Sequence, residues 1–395
     1  MHVPRFVRPV GEPIKTSQTK DSSNLKLSAY VGYEREFYGS GTMALQAALT
    51  VMKTQVKSTI AAKCMLAGYG CPDLISACVG AEVEPVLIDT APNSPFPSET
   101  SIERAAHEGC TAIILVNFLG LSPPKELVTK CKQLGLFIIE DRAQSFLSPP
   151  INIQGEGGLF GDAVIFSFGK GKPLSLLGGG MLLVKKNIAF QAVSDQADDS
   201  TISTIRTKLS IIAYNLIIRP SLYPLLLKIP GLSIGETRYH APQSIKAMDA
   251  MRLAMLPHAI ESFRSKPHDT AQKIIGQLNP TFKLLGITSL LSQNDGLRML
   301  RLPLLAHNKA MRDELVDKLV EHGIGATKLY QLSIPDVQGI PSQVKSELLS
   351  SIHLENACNF ADRLFTIPCH SDVTANDIEA IKNTLDNYLS PKEIA

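Results

Sequence analysis

The segment SFGKGKPLSLLGGG, Ser167 to Gly180, carries two lysines two residues apart among glycine, serine and proline. It follows AVIFSF, whose β-branched and aromatic residues predict a short, fully buried strand. A lysine just past such a strand is either a solvated loop charge or an amine held in a site, where it can serve as nucleophile or proton carrier. Two other polar groups stand at comparable places. Asp141 closes LGLFIIED, which predicts another strand, and SGT, Ser40 to Thr42, opens a helix whose amides and hydroxyls suit an anion such as phosphate. Taken singly, each has an ordinary reading as cap or surface charge. Placed together on one sheet edge they mark a candidate site, because open α/β sheets bind ligands outside the carboxyl ends of their strands.

The elements that would hold these groups alternate between Ser40 and Lys186. GTMALQAALTVMKTQV and PDLISACVGA read as helices, EPVLIDT as a strand, SIERAAHEG as a helix and TAIILVNF as a strand. PPKELVTKCKQLG then reads as a helix ending at a glycine, followed by the strands LGLFIIED, AVIFSF and GGMLLVKK. Continuous apolar strands separated by helices predict an α/β domain, a doubly wound and mostly parallel sheet covered on both faces. Beyond about residue 235 the texture changes. IKAMDAMRLAMLPHAIESFRSK predicts a long helix interrupted near Pro257, LRMLRLPLL a strand, and KAMRDELVDKLVEHG and ANDIEAIKNTLDNYL two further helices. The expected organisation is a large domain over 1–235 and a smaller α+β domain over 236–395.

Two familiar phosphate motifs are excluded. Phe166 occupies the first glycine position of a P-loop ending at GKGK, Pro173 follows the lysine, and no GxGxxG lies between a strand and a helix. An anion-suited helix start, a carboxylate at one strand end and a lysine beyond another together suggest pyridoxal 5'-phosphate. That cofactor needs a lysine amine for its aldehyde, a carboxylate to keep its pyridine nitrogen protonated, and hydroxyls with a helix N-terminus for its phosphate.

With these residues in hand, the chain resembles the DegT/DnrJ/EryC1/StrS aminotransferases, the sugar-aminating branch of fold-type I pyridoxal-phosphate enzymes. SGTMALQAAL is similar to the family's phosphate segment, and YGCPDLISACVGAEVEPVLIDT to its next block. IIEDRAQSF resembles its EDxAQ signature, and GDAVIFSFGKGKPLSLLGGG its SFxxxK…GG segment. EHGIGATKLY and LFTIPCHSDVTANDIEAI resemble motifs of its small domain. The resemblance implies that Lys172, not Lys170, bonds the cofactor and then moves a proton. It also implies that Asp141 pairs with the ring nitrogen, that Gln144 approaches the ring hydroxyl, and that Gly41, Thr42 and Ser167 hold the phosphate. Dehydratase relatives carry histidine in place of that lysine, so a lysine favours transamination. Three positions depart from the pattern. Cys71, with Tyr69 two residues earlier, stands where an aromatic residue often stacks on the cofactor. Arg142 stands where a small residue is usual, and no asparagine suited to reach a partner subunit stands in GETRYHAPQSI.

The implied activity is transfer of an amino group from a donor, L-glutamate, to a keto sugar, with a nucleotide-linked sugar expected and a homodimer as the working unit. The alternatives are a non-catalytic cofactor- or ligand-sensing relative and a different pyridoxal-phosphate reaction such as dehydration. Composition agrees with a globular enzyme: 395 residues, 44% hydrophobic, 19% charged and net charge +2, with no basic stripe that would bind nucleic acid. Seven cysteines without a CxxC pair argue against a disulfide framework or a metal site. With no signal-peptide pattern, the cytoplasm is the expected compartment. Leu209 to Leu232 is mostly apolar but interrupted by Arg219, Pro220, Pro224, Lys228 and Pro230. It predicts two short helices at a subunit or domain interface rather than a membrane span, with peripheral membrane contact as the second reading.

Overall fold

The computed structural model describes residues 6–17, 30–55, 62–146, 158–223, 237–266, 269–279, 299–342, 344–345 and 353–388. A seven-stranded sheet forms the centre. Its strands are β1 (Tyr33–Tyr38), β2 (Lys63–Ala67), β3 (Glu84–Ile88), β4 (Ala112–Val116), β5 (Phe137–Asp141), β6 (Ala163–Ser167) and β7 (Gly180–Lys185). They lie in the order β1-β7-β6-β5-β4-β2-β3, and only β7 runs against its two neighbours. The mostly parallel, doubly wound α/β sheet expected from the sequence is present.

Two strands of this sheet were not legible in the sequence. KCMLA, which forms β2, has no β-branched residue to signal it, and YEREFY, which forms β1, reads as a charged segment. β1 is the outer strand beside β7, where half-exposed charges are tolerated.

Successive residues of the central strands feed opposite faces. Ala163, Ile165, Leu182 and Val184 join the core that contains α1 (Gly41–Gln55), α2 (Asp73–Gly80), α3 (Glu99–His107) and α4 (Lys125–Gln133). Val164, Phe166, Met181 and Leu183 join a second core with α5 (Thr201–Ile217) and α6 (Ala250–Ser265). Helix α6 runs through Pro257 without interruption, in contrast to the expected break. Its Met251, Met255, Leu256, Ile260 and Phe263 are buried on the sheet, and that packing outweighs the one backbone hydrogen bond that proline removes. It also starts later than its pattern suggested. Asp249 caps it by accepting from Arg252 N at 3.0 Å, while Lys246 and Ala247 make bridges to Asp195 and Tyr38. Although α6 lies beyond residue 236, it packs with the large sheet.

The first nine residues of the apolar stretch, Leu209 to Ile217, belong to a 17-residue helix, α5, which begins eight residues earlier at Thr201, and the chain turns at 218–222 after it. Residues 224–232 of that stretch lie outside the described residues. The smaller unit pairs β8 (Arg301–Leu305) with β9 (Leu364–Pro368), antiparallel. Around them lie α7 (Thr270–Gln277), α8 (Lys309–Glu321), α9 (Glu355–Arg363) and α10 (Ala375–Tyr388).

Candidate active site

The parallel strands β2, β4, β5 and β6 leave the sheet on one edge. There Tyr69 to Cys71, Phe118, Asp141 and Ser167 surround a cleft of about 800 Å³, counted to its open mouth. All seven residues singled out in the sequence, Gly41, Thr42, Cys71, Asp141, Gln144, Ser167 and Lys172, line it.

The two lysines separate. Lys172 lines the cleft, whereas Lys170 is exposed and lines only a neighbouring cavity, which Lys172 and Arg301 also line. Gly171 between them has φ +72°, a left-handed turn that lets neighbouring side chains diverge. The start of α1 meets the end of β6 at close quarters. A Cβ on Gly41 would lie 2.5 Å from Ser167 Cβ and 2.6 Å from its Oγ, so only glycine permits the approach. Ser40 caps α1 by accepting from Met43 N at 3.1 Å, and no acidic residue occupies the first turn. The positive end of the helix dipole is thereby delivered to the cleft.

Asp141 is buried at the end of β5, and one carboxylate oxygen accepts from Ala143 N at 2.7 Å. Burial holds its pKa above the ordinary carboxylate value, against the opposing effects of that hydrogen bond and of Lys172. It makes no ion pair among the described residues. A buried carboxylate in that condition is stabilised by a cation placed beside it.

Gln144 is fixed at both ends. Its Oε1 accepts from Leu119 N at 2.8 Å and its Nε2 donates to the Tyr330 hydroxyl at 3.0 Å. Tyr330 is a site residue that sequence reasoning missed. It lines the cleft from the segment after α8, and its hydroxyl is kept protonated by burial. The signal was present, since Tyr330 ends the EHGIGATKLY motif. Asp73 was missed too. It lines the cleft at the start of α2, where Thr42 donates to its Oδ2 at 3.3 Å and His240 Nδ1 lies 3.6 Å from its Oδ1.

The structure distinguishes the two candidates for covering a cofactor ring. The Tyr69 hydroxyl donates to the Tyr330 carbonyl at 3.1 Å, and its ring packs against Phe118, Tyr330 and Phe360 at centroid distances of 5.0 to 6.0 Å. Swinging inward would break that cluster. Cys71 is left as the smaller group on the cleft wall, its thiol pushed up to about 12 chiefly by burial and therefore neutral. Arg142 acquires an account. It is buried away from the cleft lining, pairs through Nε with the fully buried Glu140, and donates to Ser145 Oγ at 3.1 Å. Glu140 in turn accepts from Phe160 N and Gly161 N at 2.8 and 3.0 Å. This network fixes the strand end that carries Asp141 rather than contributing to the cleft.

Comparison with known proteins identifies the family. The sequence profile of the DegT/DnrJ/EryC1/StrS aminotransferase family matches residues 21–200 and 244–386. A Bacillus subtilis (strain 168) protein named "Putative pyridoxal phosphate-dependent aminotransferase EpsN" is 27% identical over 220 residues, 53% of this chain and 53% of that protein. The chain thus aligns with about half the length of that curated relative. Among solved structures, Helicobacter pylori PseC, an aminotransferase involved in the biosynthesis of pseudoaminic acid, superposes with TM-score 0.61 at 16% identity, covering 97% of this chain and 99% of that one. NtdA from Bacillus subtilis, with bound cofactor PMP, gives TM-score 0.64 at 12% identity over 93% and 76% of the two chains. At such identities the structural likeness is one of fold, and the profile match over most of the sequence supplies the rest: this chain belongs to the DegT/DnrJ/EryC1/StrS aminotransferase family.

Proposed function

We propose that this protein is a pyridoxal-phosphate aminotransferase that converts a nucleotide-linked keto sugar to an amino sugar, with L-glutamate as donor. The observation that carries the reading is the convergence of Lys172, Asp141, Ser167 and the start of α1 on one cleft. Family membership and the description of PseC as an aminotransferase of pseudoaminic acid biosynthesis support the substrate class. In the overall exchange glutamate leaves as 2-oxoglutarate and the sugar's carbonyl carbon gains the amine.

The donor set fits the cofactor. When bound, pyridoxal phosphate supplies an electron sink and stores the amino group between the two half-reactions. Lys172 Nζ would anchor it and would be the group that carries a proton to and from the reacting carbon. Asp141 holds positive charge at the ring nitrogen, which relieves the burial cost seen without a cation. Ser167, Gly41 and Thr42 hold the phosphate. Gln144, locked by Leu119 and Tyr330, would approach the ring hydroxyl side, and Cys71 would cover a ring face. A homodimer is the proposed working unit.

The deciding measurement is the absorbance spectrum of the purified protein before and after excess L-glutamate. The expected result is a visible band that glutamate bleaches, restored by a keto-sugar acceptor. A band indifferent to glutamate would overturn the donor assignment. An unchanged spectrum and full turnover in Lys172→Ala would overturn the lysine.

A further inference from the structure

Helix α5 is attached to the body by a narrow face. Thr207, Ile211 and Tyr214 are buried with Ile218 just beyond, and Asn215 clamps the backbone of Ile14, accepting from its N–H and donating to its carbonyl at 2.8 Å each. At 3.6 residues per turn, the opposite side of the helix carries Ile202, Ile205, Leu209, Ile212 and Leu216. All five are exposed, Ile202 by 79% and Leu209 by 61%. Their three- and four-residue spacing makes one continuous apolar stripe of about 21 Å at 1.5 Å per residue. Arg206 flanks it on one side, and Lys208 and Arg219 on the other, all exposed.

The stripe lies outside the part of the chain that the family profile matches. The family profile stops at residue 200 and resumes at 244, so α5 lies in a segment this chain carries outside it. Charge selects the occupant. Thr201 to Tyr223 contains three basic residues and no acidic one. The nearest carboxylates in sequence precede the helix, with Asp198 accepting from Ser200 N and Asp199 from Ala250 N. Pairing the stripe with its counterpart in a second copy would set Arg206 and Lys208 of both chains along the same seam, with Asp198 and Asp199 beyond the end of the stripe. An anionic bilayer surface meets both requirements. It takes the apolar stripe at the boundary of headgroups and acyl chains, and the flanking cations reach lipid phosphates. Crossing is not required, since no helix among the described residues is long and apolar enough to span a membrane.

We propose that the outer face of α5 seats this protein on an anionic lipid surface, with the helix lying in the interface plane. The test is cosedimentation of the full-length protein with vesicles of phosphatidylcholine alone, or of phosphatidylcholine and phosphatidylglycerol in equal parts. Partitioning onto the anionic vesicles is expected to exceed that onto neutral ones by about tenfold and to weaken with salt. Leu209→Glu with Ile212→Glu, both at exposed positions, should lower it by about tenfold or more with unchanged thermal stability. Arg206→Gln with Lys208→Gln should abolish the preference for anionic vesicles while leaving the stripe intact. Wild-type protein that stays in the supernatant with both vesicle types would overturn the proposal. So would a fall in solution mass of the Leu209→Glu/Ile212→Glu variant by light scattering without lipid, because it would mean that a second copy covers the stripe.

Discussion

The cleft at the carboxyl edge of the sheet and the outer face of α5 handle exposure in opposite ways. In the cleft, charge is buried and apolar groups are locked. Asp141 sits in the interior at the cost of a raised pKa, and Tyr69 is held by three rings and a hydrogen bond. On α5 the apolar groups are open and the charges are solvated. Each arrangement costs free energy in the isolated chain, and under the two proposals each cost would be removed by a different kind of molecule: a cation-bearing ring in the cleft, an apolar and anionic surface on the helix. Unfavourable exposure or burial that is built into a rigid frame therefore points to the chemistry of the missing counterpart.

The strongest way to break the comparison is at Lys172. Lys172→Ala should lower turnover by at least about 10³-fold, since it removes the proposed anchoring amine and proton carrier together. Vesicle binding should not change. Steady-state kinetics with the cosedimentation assay checks both, and a loss of lipid binding would show that the two regions are one site.

Asp141→Asn should reduce turnover by about 10²-fold, because a neutral amide cannot hold a protonated ring nitrogen. Its effect on the cofactor-free protein runs the other way. The Asp141 pKa is raised in the folded chain, so the carboxyl is favoured while protonated, below its unfolded pKa, and that advantage is lost as pH rises through the folded value. Cofactor-free Asp141→Asn should therefore unfold at a higher temperature than wild type at pH 8, and the difference should vanish near pH 3. Melting curves at the two pH values settle the sign. A wild type more stable than the variant at pH 8 would mean that Asp141 already has a cationic partner.

The sequence made the cleft legible for a physical reason. Its residues sit at strand ends and one helix start, and strand and helix periodicity place those ends without any knowledge of distant contacts. The same reasoning reached Lys172 over Lys170 only through the spacing of a motif. The geometry adds that Gly171 turns between them. What it missed becomes evident through tertiary contact, even where, as for Tyr330, a motif already held the residue. Tyr330 reaches Gln144 across 186 positions, and Asp73 enters the cleft because Thr42 donates to it. Arg142 looked anomalous beside Asp141 until its buried partner Glu140, on the alternate strand position, was visible. The course of α6 through Pro257 was likewise hidden, since local propensity argues for a break and only burial against β6 and β7 reverses it.

A milder perturbation sharpens the electrostatics of the cleft. Asp73 places a carboxylate against Thr42, one of the proposed phosphate donors, and thereby opposes the positive end of α1. Asp73→Asn should tighten binding of pyridoxal phosphate two- to tenfold, more at low salt than at high, with little effect on turnover at saturating cofactor. Titration of the cofactor-free protein measures it. Weaker binding in the variant would mean that Asp73 positions Thr42 rather than repelling the phosphate.

The smallest expected functional effect lies between the two regions. The segment from Arg8 to Ile14 touches both of them. Asn215 of α5 holds the backbone of Ile14, Tyr214 lies against Gly11, where a Cβ would come 2.4 Å from its hydroxyl, and a Cβ on Gly171 would contact Val10 at 3.3 Å. Asn215→Ala leaves a buried N–H and carbonyl of Ile14 without their partner, which costs about 1 to 3 kcal/mol. If the strap only anchors α5, the variant should unfold at a lower temperature and bind vesicles less well, with kcat and KM unchanged. A shift in KM with kcat preserved would instead mean that the strap, and with it the seat of α5, helps to set the shape of the cleft wall beside Lys172. Contiguity alone does not establish such coupling, and this split between the two constants does.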